Sequence, residues 1–329
     1  MSEAPALELR DVFRIHADSA TGAVALQGMT LSVARGERCV VLGPSGSGKS
    51  SLLRIAAGFD RPSAGIARTL GVDVMRLGPR RAAAFRSRRL GFLDQHYARA
   101  LSPALSCADN VALPLALGGV SAHERRQRAL TLLDGMGLAD RADDPPSALS
   151  GGEQQRVAAC AALAHAPALL LADEPAGELD ARTARTVYRL LGELVATSGT
   201  TLVIVSHDEA AAELADRVVH VRDGRISGEQ LRGGSQRLVV GRGGWVRLPE
   251  SARDDAGIGA RVSWRAGEGE VQLSGDGLEA ATGGGPEAAR RSGGGGRGHG
   301  LCLLVAEGAD GAASSAFDDG EVVADDVGL

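Results

Sequence analysis

Lysine is almost missing from this chain. Of its 36 basic residues only Lys49 is a lysine, and the rest are arginine. Other absences narrow the field. A net charge of −5 gives no general electrostatic attraction for nucleic acid. No apolar run reaches membrane-spanning length, and the best candidate, residues 157–172, is interrupted by His165 and Pro167. The opening Met1-Ser2-Glu3-Ala4-Pro5 has neither the basic nor the apolar region of a secretory signal. Cys39, Cys107, Cys160 and Cys302 show no metal-ligand spacing and read as free thiols of a reducing cytosol, three of them in the core. No internal repeat appears. What remains is an ordinary soluble composition, 44% apolar and 23% charged, long enough for one large domain and an appendage.

The lone lysine lies in Gly43-Pro44-Ser45-Gly46-Ser47-Gly48-Lys49-Ser50, which has the spacing G-x-x-x-x-G-K-[ST] of a phosphate-binding loop. A compact ammonium on a flexible stem suits that loop, whereas a planar guanidinium fits it badly. Arg38-Cys39-Val40-Val41-Leu42 before it reads as a buried parallel strand. Leu52, Leu53, Ile55 and Ala56 after it, closed by Gly58, suit a short helix. Backbone N–H groups at that junction would surround phosphates, and the helix dipole would favour their charge. Lys49 would bind the β- and γ-phosphate oxygens of a nucleotide and Ser50 a Mg²⁺ ion, while Ser51 would serve the α-phosphate or the helix.

Two further stretches carry chemistry. Ala168-Leu169-Leu170-Leu171-Ala172-Asp173-Glu174-Pro175 reads as an apolar strand ending in two carboxylates. Asp173 is placed to hold Mg²⁺, and Glu174, pointing differently, to polarise a water in line with the γ-phosphate. In Leu149-Ser150-Gly151-Gly152-Glu153-Gln154-Gln155-Arg156, Ser150 and Glu153 form a capping box before a helix. The two glycines leave its first turn bare, open to an anion.

These three elements, in this order, resemble the ATP-binding cassette (ABC) ATPases, and the likeness runs over residues 6–229. Leu90-Gly91-Phe92-Leu93-Asp94-Gln95 resembles the glutamine loop, Ala176-Gly177-Glu178-Leu179-Asp180 the D-loop, and Thr201 to His207 the strand to the switch histidine. Residues 215–226 resemble the closing hairpin. Asn110-Val111-Ala112-Leu113-Pro114-Leu115 is similar to the lipoprotein-release, macrolide-export and cell-division branch, although Ala176 and Glu178 stand where that branch commonly has Thr and Asn. The resemblance implies an α/β phosphate-loop NTPase fold with a parallel core sheet, an antiparallel N-terminal β subdomain and an inserted helical subdomain at about 96–165. It implies ATP and Mg²⁺ as cofactors, with Gln95 sensing Mg²⁺ and the attacking water and His207 the γ-phosphate. Ser150, Gly151, Gly152, Glu153 and Asp180 would serve ATP across a dimer of identical cassettes. Adenine would stack on His16, with Phe13 as a rival. The function implied is ATP hydrolysis driving a separate transmembrane permease, in export, by a cytoplasmic subunit at the inner face of the membrane. Force transmission to a membrane complex without transport, and a DNA-linked regulatory ATPase, are the alternatives.

Around these motifs, residues 6–90 read as strands, the loop and a short helix, and 108–117 and 122–136 as helices. Arg86-Ser87-Arg88-Arg89 reads as a solvated basic face. Residues 236–275 read as a small β-rich β-α-β module for docking or self-association, with a helix near 249–256 and a hairpin from Arg261-Val262-Ser263-Trp264 and Glu270-Val271-Gln272-Leu273. Residues 276–329 read as a glycine-rich linker and an acidic, disordered tail.

Overall fold

In the first strand, the alternation of Leu7 and Leu9 with Glu8 and Arg10 turns the leucines inward and the charges outward. The computed structural model describes residues 4–15, 24–96, 100–234, 236–239, 246, 248, 250–255, 258, 261–267, 270–275, 301–304 and 322–323. Strand β1 (Leu7–Ile15) pairs antiparallel with β2 (Val24–Val33), Leu7 facing Val33. The chain then enters β3 (Arg38–Leu42) and α1 (Lys49–Ala56). It returns to the first sheet as β4 (Ala64–Thr69) and β5 (Val72–Asp73), completing the order β2-β1-β4-β5. Helix α2 (Pro79–Arg89) leads into β6 (Leu90–Leu93). Three helices follow, α3 (Cys107–Leu117), α4 (Ala122–Gly135) and α5 (Gly151–Leu163), each capped by a serine hydroxyl, from Ser106, Ser121 and Ser150. The remainder alternates: β7 (Leu169–Asp173), α6 (Ala181–Ser198), β8 (Thr201–Ser206), then β9 (Arg217–Arg222), β10 (Arg225–Leu231) and β11 (Gln236–Leu238).

The second sheet has the order β11-β10-β9-β3-β8-β7-β6, parallel from β6 to β9. Its strands are apolar on both faces, as a sheet covered on both sides requires. Val40, Leu42, Leu170, Ala172, Leu202 and Ile204 face a core shared with α3 to α6. Cys39, Val41, Leu169, Leu171, Val203 and Val205 face a second core shared with α1 and the first sheet. This arrangement brings the carboxyl ends of β3, β6, β7 and β8 to one edge, where open α/β sheets hold ligands. The expected ABC fold with its two subdomains is present. Among the described residues no helix is long and apolar enough to cross a membrane.

Three expectations need correction. Helix α2 escaped the sequence reading because five arginines mask its period, leaving Ala82 and Phe85 to meet the core. Residues 236–238 are not the start of a separate module. Gly234 N donates to Leu231 O, Gly233 takes a φ of 73°, and the turn sends β11 back along β10 with Leu238 opposite Gly228. Gly233 and Gly234 therefore make a turn within the core sheet where a boundary before the module was expected. The chain divides instead into Met1–Val246 and Arg247–Leu329. Within the second unit lie α7 (Glu250–Asp255), β12 (Arg261–Gly267) and β13 (Glu270–Gly275), the last two forming the expected hairpin. Residues 276–329 are not uniformly without structure: β14 (Leu301–Leu304) pairs with β13 and β15 (Val322–Val323) with β12. An open hairpin edge offers unpaired backbone groups to such apolar runs.

Leu171 is wholly buried in the middle of β7. Leu171→Ala should destabilise the first unit by about 2–5 kcal/mol through lost burial and a residual cavity. A urea unfolding midpoint unchanged from wild type would contradict this packing.

Candidate active site

The phosphate loop leaves β3 at Gly43 and enters α1 at Lys49. Its glycines are dictated by space as well as by conformation. A Cβ on Gly43 would stand 2.1 Å from Val221 O. One on Gly48, whose φ is 95°, would stand 2.1 Å from Ala25 O. Gly46 also needs a left-handed φ, 81°. Lys49 is only 5% exposed, and its Nζ donates to Gly43 O at 2.8 Å and Pro44 O at 2.9 Å. The same Nζ stands 3.6 Å from Glu174 Oε1. Ser47 Oγ, buried in the loop, has no partner among the described residues, a donor awaiting an acceptor.

Strand β7 delivers its two acids in different directions. Asp173 Oδ1 accepts from Ser50 Oγ at 3.0 Å, so a hydroxyl and a carboxylate oxygen meet at the loop, donors suited to a hard divalent cation. Glu174 follows at a φ of 46°, which swings it away from Asp173. Its Oε2 accepts from Ser206 Oγ at 3.0 Å, His207 N at 3.2 Å and His207 Nδ1 at 2.9 Å. Because the carboxylate only accepts, Nδ1 carries the proton of that bond. A cavity of about 430 Å³ collects Ser45, Gly46, Gly48, Lys49, Ser50, Ser51, Gln95, Glu174 and His207, with Val24 and Ala25 as its apolar wall.

Comparison with known proteins gives the family. Residues 26–177 match the family model described as ABC transporter. The chain is 44% identical over 227 residues to an uncharacterized ABC transporter ATP-binding protein of Thermotoga maritima, spanning 69% of this chain and 96% of that one. The chain belongs to the ABC transporter ATP-binding proteins. It is 41% identical over 201 residues to the lipoprotein-releasing system ATP-binding protein LolD of Bacteroides fragilis, covering 61% of this chain and 92% of the relative. A solved dimeric ATP-binding cassette, in a post-hydrolysis state with ADP and Pi, superposes with a TM-score of 0.63 at 34% identity over 68% of this chain and 98% of that one. The cassette fold, ATP binding and ATPase class of this chain rest on these matches together.

The cassette's other expected residues lie elsewhere. Ser150 and Gly151 are exposed at the start of α5 and do not line the cavity. The capping box is complete: Glu153 N donates to Ser150 Oγ, and Ser150 N to Glu153 Oε2 at 2.8 Å. The Ser150 hydroxyl, which donates to Glu153 Oε2 at 2.7 Å, and then the Ser150 N–H hold the Glu153 carboxyl below its ordinary pKa. Gly152 is buried against Thr183, where a Cβ would stand 2.4 Å from its Cγ2. Asp180, exposed, caps α6 by accepting from Arg182 N and Thr183 N at 3.1 Å. Glu153 and Asp180 are thus engaged in helix starts within their own chain. His16 lies outside the described residues. Its rival Phe13 rests near Gly28 and is not among the cavity's described lining residues, a place held by Val24. Sequence reasoning passed over Ser206, Val24 and Ala25. A polar residue closing the apolar run of β8 was the available signal for Ser206, and Val24 and Ala25 gave none.

Burial raises the pKa of Asp173; the Ser50 bond opposes this, and the nearby Glu174 and Asp94 charges add to it. A carboxyl whose folded pKa exceeds its unfolded value loses stability as pH rises from the unfolded value to the folded one, so the ionised free protein carries a cost that the neutral side chain does not. Asp173→Asn keeps an acceptor for Ser50 and removes the charge. The free variant should melt at pH 7 no lower than wild type, and a fall of several degrees would contradict this reading.

Proposed function

We propose that this cassette hydrolyses MgATP in a dimer and so drives a separate membrane permease, in export. The observation that carries the catalytic part is the meeting of the phosphate loop, Gln95, Glu174 and His207 in one cavity at the ends of four strands. Lys49 exchanges its loop carbonyls for the β- and γ-phosphate oxygens, and Ser47 gives its free hydroxyl to a phosphate oxygen. The loop N–H groups and the α1 dipole add to the hold, and Gly43 and Gly48 let the backbone come close. Ser50 and Asp173, with Gln95, would hold Mg²⁺. When bound, that ion neutralises charge on the β- and γ-phosphates.

Glu174 orients the attacking water and accepts its proton. His207, with Nδ1 committed to Glu174, would meet the γ-phosphate through Nε2, a contact that donates only when both ring nitrogens carry protons. The dimer follows from incompleteness. Ser150 and Gly151 present a bare helix start to solvent, outside their own cavity, where they are available to the nucleotide of a second cassette. ATP then joins two surfaces, and hydrolysis releases them. The solved relative is a dimer, and LolD, described as the ATP-binding protein of a lipoprotein-releasing system, supports a separate permease and the export direction. On this reading the subunit is cytoplasmic and peripheral on the membrane.

The test is Glu174→Gln at saturating MgATP. Hydrolysis should fall by about 10²- to 10⁴-fold, the usual worth of a general base. Gel filtration should show a dimer that ADP does not support, and membranes should yield the permease bound to it. A monomer that hydrolyses at the wild-type rate would overturn the assignment.

A further inference from the structure

Behind Glu174 lies a buried polar pair that the mechanism above does not use. Tyr188 sits on the face of α6 that also carries Ala184, Val187, Leu191 and Val195, all packed into the core. It is 1% exposed and Ser206 is wholly buried. A phenol hydroxyl in such surroundings is costly unless it is bonded. The partner found for it among the described residues is Ser206 Oγ, 3.3 Å away.

Proton inventory fixes the direction of the chain. Ser206 Oγ lies 3.0 Å from Glu174 Oε2 and accepts from Asp208 N at 3.0 Å. The ionised carboxylate only accepts, so the one hydroxyl proton of Ser206 goes to Glu174. One Ser206 lone pair is taken by the Asp208 N–H, and the other accepts from Tyr188. Burial pushes the phenol pKa up to about 12, so the proton stays on the tyrosine. A hydroxyl that accepts a hydrogen bond becomes a better donor, so Tyr188 strengthens the bond from Ser206 to the carboxylate.

We propose that Tyr188 is a positioning residue for Glu174, acting through Ser206 to anchor Oε2. Oε1, the oxygen nearer Lys49, is left to meet the water. This rests on Glu174 being the general base. The anchoring is distinct from that of His207, whose ring lies on the exposed side of the same oxygen.

The experiment compares kcat and KM for ATP turnover of the full chain with those of Tyr188→Phe, Ser206→Ala and the double variant. Tyr188→Phe removes one atom and keeps the ring that fills the core. It should lower kcat about fivefold with KM for ATP unchanged, the effect of losing one net hydrogen bond. In the Ser206→Ala background Tyr188→Phe should add nothing, while Ser206→Thr, which keeps the hydroxyl, should retain the tyrosine effect. Multiplying losses in the double variant, together with a lower Tm, would assign Tyr188 to packing alone and overturn the proposal. Glu174→Gln separates the two levels. If that variant turns over normally, the base assignment itself fails. If it is inactive while Tyr188→Phe keeps full turnover, only the role of Tyr188 falls.

Discussion

A single buried ammonium constrains this molecule more than any other group. Lys49 is held between two carbonyls of its own loop and the Glu174 carboxylate. A buried cation without partners would be very costly, so these oxygens must be present when the cavity is empty. Phosphate oxygens, which carry more charge than the carbonyls, are the natural replacements. On the proposed mechanism the same exchange would separate Lys49 from Glu174 and free the acid to face water. One side chain would then link occupation of the loop to the readiness of the base.

That arrangement depends on the sheet beneath it. Strands β3, β7 and β8 are buried on both faces, so register and depth of their ends are fixed by two cores at once. Asp173 opposes Val205 and Leu42 opposes Ser206, which sets loop, acids and histidine at one level. Glu174 N donates to Val205 O, holding the left-handed turn that parts the two acids. The helix starts are treated in the same way: Ser106, Ser121 and Ser150 all cap. Only at Ser150 do two glycines follow, leaving the turn bare. The local rule is common to the three helices, and the glycines alone set the third apart.

Legibility in the sequence followed the range of the interactions. The phosphate loop, β7 with its acids and the capping box at Ser150 are local patterns, and their residues could be read in order. The two-faced core strands were legible too, because their apolar runs are uninterrupted. What escaped was of two kinds. Helix α2 hid behind its arginines, and β11 behind a turn that looks like a linker. The others were contacts between distant positions. Nothing in the run 201–206 reveals that Ser206 meets both Tyr188 and Glu174, since each lies 18 or more residues away. Asp180 shows the reverse: a family role was expected, and a simple helix cap accounts for its present bonds.

The cavity is built for one ammonium, so charge alone does not satisfy it. Equilibrium binding of MgATP to Lys49→Arg tests this most directly, since arginine is the other basic residue throughout the chain. A guanidinium, too broad for the space between Gly43, Pro44 and Glu174, should weaken binding at least about tenfold and approach the loss expected for Lys49→Ala. Wild-type affinity in Lys49→Arg would contradict it.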